Sequence, residues 1–103
     1  MKYDKLVRDK IIEILKLEKL EYSYHIASKT EYEKKLKEKL IEEVNEFLKD
    51  GALDELADIQ EVVNAICNFY GFYQEDLEKL RRDKFESRGG LEKRIILDEV
   101  KEK

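Results

Sequence analysis

The chain reads as an all-α protein, mainly helical and built around one helical hairpin. Three observations predict it. Apolar residues recur at three- and four-residue spacing over long stretches. Asp50-Gly51 and Gly71 interrupt those stretches where a helix end wants a residue with positive φ. No proline breaks any of them.

Residues 5–20 carry Leu6, Val7, Ile11, Ile12, Leu15 and Leu20, a spacing that suits an amphipathic helix. Residues 21–27 then alternate Tyr22, Tyr24 and Ile26 against Ser23, His25 and Ala27, which reads as a short strand. Ser28 or Thr30 caps the next helix, with Glu31 and Glu33 in its first turn. That helix runs to about Lys49 with a stripe of Leu36, Leu40, Val44, Phe47 and Leu48. A second long helix covers Leu53 to Tyr70. Residues 75–87 make a shorter, charged helix that ends at Gly89-Gly90. Residues 94–97 (Arg-Ile-Ile-Leu) read as a second strand, so the pattern leaves room for a two-stranded ribbon with 22–26. Such a ribbon is stable only when packed on helices.

A length of 103 residues suits one domain spanning 1–103. A domain this small buries only about two-thirds of the surface its unfolded chain exposes, so self-association would add stability. Net charge is −4 with a pI near 5.2, which argues against a nucleic acid polymer as partner. Local basic clusters still coexist with a negative total, so a small anionic ligand remains compatible. Cys67 is the only cysteine, which excludes an internal disulfide and a thiolate zinc site. It lies in an apolar run and reads as a small core residue. The first residues lack the apolar run of a signal peptide. No stretch approaches the ~18 apolar residues of a membrane span. The expected compartment is the cytoplasm.

The hairpin carries an acidic pattern, Glu43-x-x-Glu46, then eight residues, then Glu55-x-x-Asp58. Residues three apart share a helix face, so each pair points one way. Glu46 and Glu55 are equidistant from a turn centred between Asp50 and Gly51, and so are Glu43 and Asp58. In an antiparallel hairpin with axes ~8–10 Å apart, the four face each other. On the helical wheel Glu55 falls between Val62 and Ile59, inside the apolar arc, and Asp58 lies at its edge. Several carboxylates in one partly apolar place repel each other. A hard divalent cation relieves that repulsion, and oxygen donors favour magnesium, with manganese as a substitute, over zinc. The plainer reading is a charged helix in a charged protein, with Lys39 or Lys49 pairing Glu43 and Glu46. Glu42 points away from the apolar stripe and reads as solvated. Glu61, three residues beyond Asp58, would support a second ion.

These residues resemble the MazG-like all-α nucleotide pyrophosphohydrolases, relatives of phosphoribosyl-ATP pyrophosphohydrolase. The likeness extends over most of the chain. Residues 3–14 (YDKLVRDKIIEI), 24–27 (YHIA) and 84–97 (KFESRGGLEKRIIL) are similar to segments of a small MazG-like subfamily, in order around the acidic motif. Ile12 stands where that opening block is expected to carry proline. The eight-residue gap is short for the wider superfamily and leaves little room for a base-covering insertion. The resemblance implies a homodimer or dimer of dimers that binds magnesium and cleaves a nucleoside triphosphate to the monophosphate and pyrophosphate. It makes Glu43, Glu46, Glu55 and Asp58 the metal ligands.

A triphosphate carries about four negative charges, and basic residues must complete its clamp. The candidates are Lys84 and Arg88, one helical turn apart and followed by two glycines, and the cluster Lys5, Arg8 and Lys10. His25, alone on its strand, reads as structural. The expected chemistry is metal-assisted hydrolysis, with Glu43 or Glu46 orienting or deprotonating the attacking water. The expected role is nucleotide-pool house-cleaning. Two alternatives stand beside it: activity on phosphoribosyl-ATP, and a helical dimerisation or regulatory module without chemistry.

Overall fold

Ser28 starts the longest helix. Its hydroxyl accepts from the Glu31 amide at 3.2 Å, satisfying one of the donors that a helix start leaves open. The helix runs Lys29–Asp50 and ends at Gly51, whose φ of 64° lets its amide turn back onto the Phe47 carbonyl at 2.7 Å. In this computed structural model, which describes residues 2–102, it is the second of four helices. They are α1 (Ile11–Leu17), α2 (Lys29–Asp50), α3 (Leu53–Tyr70) and α4 (Gln74–Arg88). The all-α class read from the sequence is the class observed. No helix among the described residues is long and apolar enough to cross a membrane.

Packing divides the chain after Gly71. The first unit, Met1–Gly71, is the α2–α3 hairpin with α1 and the segment before it. Its core lies toward the open end of the hairpin, away from the Gly51 loop. Leu36 is 2% exposed, and Cys67 and Val62 are also buried. Tyr32 on α2 meets Phe69 on α3 edge to face at 5.5 Å. Such pairs add to what their buried area contributes. Cys67 is thus the small core residue expected of it.

The second unit, Phe72–Lys103, contains α4 and the tail. Helix α4 buries none of its residues and is held by near-neighbour charges. Arg81 pairs with Glu78 at 2.6 Å, and Lys79 with Asp83 at 3.7 Å. Gly89 ends it, and Gly90 follows against the Phe85 ring, where a Cβ would sit 2.9 Å from the nearest ring carbon.

Two expectations change. The first helix is expected over 5–20 and spans only Ile11–Leu17. Residues 4–8 are instead tied to the hairpin by side-chain contacts, and Lys19 at φ 58° closes the far end. Tertiary contacts here override a weak local preference. The ribbon is absent: neither 21–27 nor 94–97 is a strand. Tyr22 and Tyr24 do share one side, their ring centroids 6.3 Å apart, so the alternation is real. What a strand also needs is a hydrogen-bonded partner, which period-two patterning does not supply.

Candidate metal centre

The acidic motif sits where α2 and α3 face each other, nearer the loop than the core. Gly51 lets the chain reverse in two residues, and this short reversal sets the register that brings the pairs across from each other. One carboxylate oxygen from each of Glu43, Glu55 and Asp58 lies within 4.8 Å of the other two. Glu46 joins a second group with Asp50 and Glu55. The four predicted ligands, together with Asp50, therefore form two overlapping triads that share Glu55. Asp50, expected only as part of the helix stop, is an additional carboxylate of the second triad. Its spacing from Glu46 was the available signal, since four residues apart is one helical turn.

Two members of the Glu43–Glu55–Asp58 triad have basic partners. Arg8 donates to Asp58 at 2.7 Å, and Lys39 approaches Glu43 at 3.4 Å. Lys39 is thus the ion-pair partner that the plainer reading of Glu43 calls for. Lys49 makes no ion pair among the described residues, and Glu46 has none either. Glu55 is surrounded differently. Loss of water raises its carboxyl above the ordinary value, and the Asp54 charge, a hydrogen bond shared with Asp50 and the Glu46 charge push the same way. It also occupies the first turn of α3, where the helix dipole favours a negative charge. The net direction is upward, so desolvation and neighbouring carboxylates outweigh the dipole.

Glu42 is half-buried, not solvated as expected. It pairs with Lys5 at 3.0 Å and with Lys39 at 3.5 Å. Burial alone would raise its carboxyl, but the two lysines prevail and hold it below the usual range. Lys5 moves in the complementary direction, upward, through its hydrogen bond to Glu42. Glu61 is exposed and lines the adjoining groove.

That groove has a volume of about 390 Å³ and runs between the N-terminal segment and the hairpin. Arg8, Lys39, Glu43 and Asp58 line its charged part, and Tyr32, Leu36 and Val62 line its apolar part. Of the expected phosphate-binding residues, Arg8 borders the groove. Lys5 is engaged with Glu42, and Lys10, exposed, stands at the N-cap position of α1 without a side-chain cap hydrogen bond. Lys84 and Arg88 lie on α4, both exposed, in the second unit. Lys39, expected only as an ion-pair partner, is also a groove cation. His25 pairs with Glu31 at 2.9 Å, on the exposed side of the α2 start.

The donor set is three hard oxygen donors on two helices that a turn holds in register. That chemistry suits magnesium, manganese or calcium and does not suit a soft metal. No family model, no curated protein and no solved structure matches this chain.

Proposed function

We propose that this protein is a magnesium-dependent nucleoside triphosphate pyrophosphohydrolase of the MazG-like kind. The observation that carries the reading is the convergence of Glu43, Glu55 and Asp58 to within 4.8 Å, beside a groove lined by Arg8 and Lys39. Glu43, Glu55 and Asp58 would hold the ion, with manganese as a substitute. A bound ion would supply Lewis-acid polarisation of the phosphate oxygens. Glu46 is the better choice for orienting and deprotonating the attacking water. It makes no ion pair among the described residues, whereas Lys39 draws on the basicity of Glu43. Arg8 and Lys39 steady the charge on the leaving pyrophosphate, with Lys5, Lys10, Lys84 and Arg88 as further candidates. Nucleotide-pool house-cleaning in the cytoplasm is the matching role.

The protein works as a homodimer or a dimer of dimers in this reading. Ile41 and Leu48 on α2 are 62% and 74% exposed, and Leu53 and Leu56 on α3 also face out. Covering those residues against a second hairpin would complete a four-helix bundle.

The competing reading is a helical dimerisation module without chemistry. The Arg8–Asp58 and Lys39–Glu43 pairs favour it, because they satisfy two carboxylates with no metal. Glu55 favours the enzyme, since its neighbours are acidic. Pyrophosphate release from a panel of nucleoside triphosphates and phosphoribosyl-ATP, with magnesium and with a chelator, tests the proposal. Release from any triphosphate that the chelator stops is the expected result. Release from phosphoribosyl-ATP alone selects the related activity. No release anywhere, with metal bound to nothing, leaves the module.

A further inference from the structure

The segment before α1 is fastened across the hairpin at three points. Lys35 Nζ donates to the Asp4 carbonyl at 2.6 Å. Lys5 Nζ pairs with Glu42 at 3.0 Å, and an Arg8 guanidinium nitrogen meets Asp58 Oδ1 at 2.7 Å. The first two contacts hold the backbone near its start. The third differs, because Asp58 belongs to the candidate metal triad.

We propose that Arg8 is a tethered counter-ion that exchanges with the divalent cation at Asp58, and that the exchange turns its guanidinium toward polyphosphate in the groove. This rests on the metal reading above. Without an ion, three carboxylates share one place with two basic side chains, Arg8 and Lys39. A doubly charged ion seated on the triad competes with the guanidinium for the same Asp58 oxygen and repels it at close range, since both are positive.

Which basic side chain yields is decided by how each is held. Lys39 is 19% exposed and touches two carboxylates of its own helix, Glu42 and Glu43. Arg8 is 58% exposed and holds one carboxylate oxygen. An ion pair that open to water is weak and easily broken. Asp4 and Lys5 stay fastened by their own contacts, so the exchange needs only the Arg8 side chain to move. Its destination borders the groove already, and a guanidinium grips phosphate through two parallel hydrogen bonds. The metal then prepares the anion site: one binding event releases the residue that the next one uses.

The test follows the Arg8 guanidinium and the carboxyl groups by nuclear magnetic resonance as magnesium chloride is added to the full chain without nucleotide. The Arg8 signal, assigned by its loss in Arg8→Gln, should move to the position of a solvated arginine. The Glu43, Glu55 and Asp58 carboxyl signals should shift over the same titration. Arg8→Gln should bind magnesium about two- to fivefold more tightly than wild type, the range for releasing an exposed ion pair. Carboxyl signals that shift while Arg8 stays put would overturn the exchange and leave the metal site standing. Carboxyl signals indifferent to magnesium and manganese would remove the metal reading itself, and the exchange with it.

Discussion

The two ends of the α2–α3 hairpin are built on different terms. Toward the open end lie Leu36, Val62 and Cys67, the three buried residues among those described, and there Tyr32 meets Phe69 edge to face. At the loop end Leu48 and Leu53 stand in solvent while Glu46, Asp50 and Glu55 crowd one another. The same two helices thus place dry contacts at one end and mutual repulsion at the other. Packing at the open end holds the register, and the loop end spends that rigidity on keeping like charges close. Core packing and the candidate metal site are therefore separated along one hairpin, and substitutions at the two ends should behave in opposite ways.

The largest expected effect is at the open end. Leu36→Ala should lose about 2–5 kcal/mol of unfolding free energy, the range for a buried leucine whose cavity relaxes only in part. Urea denaturation measures it. A loss well under 1 kcal/mol would mean that the open end is not where the hairpin is held.

At the loop end Glu55→Gln should work the other way. Metal affinity should fall by more than the roughly 10- to 100-fold that follows loss of an outer-shell partner alone, and pyrophosphate release should be nearly abolished. The metal-free melting temperature should rise, because a carboxylate among Asp50, Asp54 and Glu46 becomes neutral. Calorimetric titration with magnesium and a melting curve read both. A variant that melts lower than wild type yet turns over nucleotide normally would make the loop end ordinary scaffolding. Glu86→Gln on exposed α4 is the control.

Assembly sharpens the contrast further. Wild type should scatter light as a dimer or larger at micromolar concentration. Leu48→Glu should shift it toward monomer while leaving the open end packed, since Leu48 is 74% exposed and lies in the last turn of α2, away from Leu36. A wild-type monomer would leave the loop-end leucines without the proposed cover.

The smallest effect is in the pH dependence, where Glu42 and Glu55 should differ in sign. The folded-state value of Glu55 is raised, so its contribution is full below the ordinary carboxylate value and is lost as pH rises through the raised one. Wild type should lose stability relative to Glu55→Gln as pH rises through that window. The folded-state value of Glu42 is lowered, so its contribution is present above the ordinary value and is lost as pH falls through the lowered one. Glu42→Gln should therefore cost under about 1 kcal/mol near neutrality, a cost that fades in acid. Melting temperatures between pH 3 and pH 7, on the order of the carboxylate range, would expose the crossing. Parallel curves for the two variants would erase the difference between the paired and the crowded carboxylate.

Much of this was legible in the residues alone. The α3 limits, Leu53 and Tyr70, were readable because a turn precedes the first and a glycine with φ 75° follows the second. The facing of Glu43 and Asp58 followed from equal distance to the turn, since helical rise is uniform and a short loop leaves no slack. Tertiary structure alone decided the rest. Glu42 was read as solvated because a helical wheel sees one helix, whereas its partner Lys5 comes from a segment 37 residues away. Residues 5–10 look helical by period, yet contacts to α2 and α3 hold 4–8 out of a helix, and local propensity is too small to oppose them. The pairing of Arg8 with Asp58, 50 residues apart, is of the same kind. Periodicity fixes which face a residue takes. Which charge it meets there depends on how distant segments fold over one another.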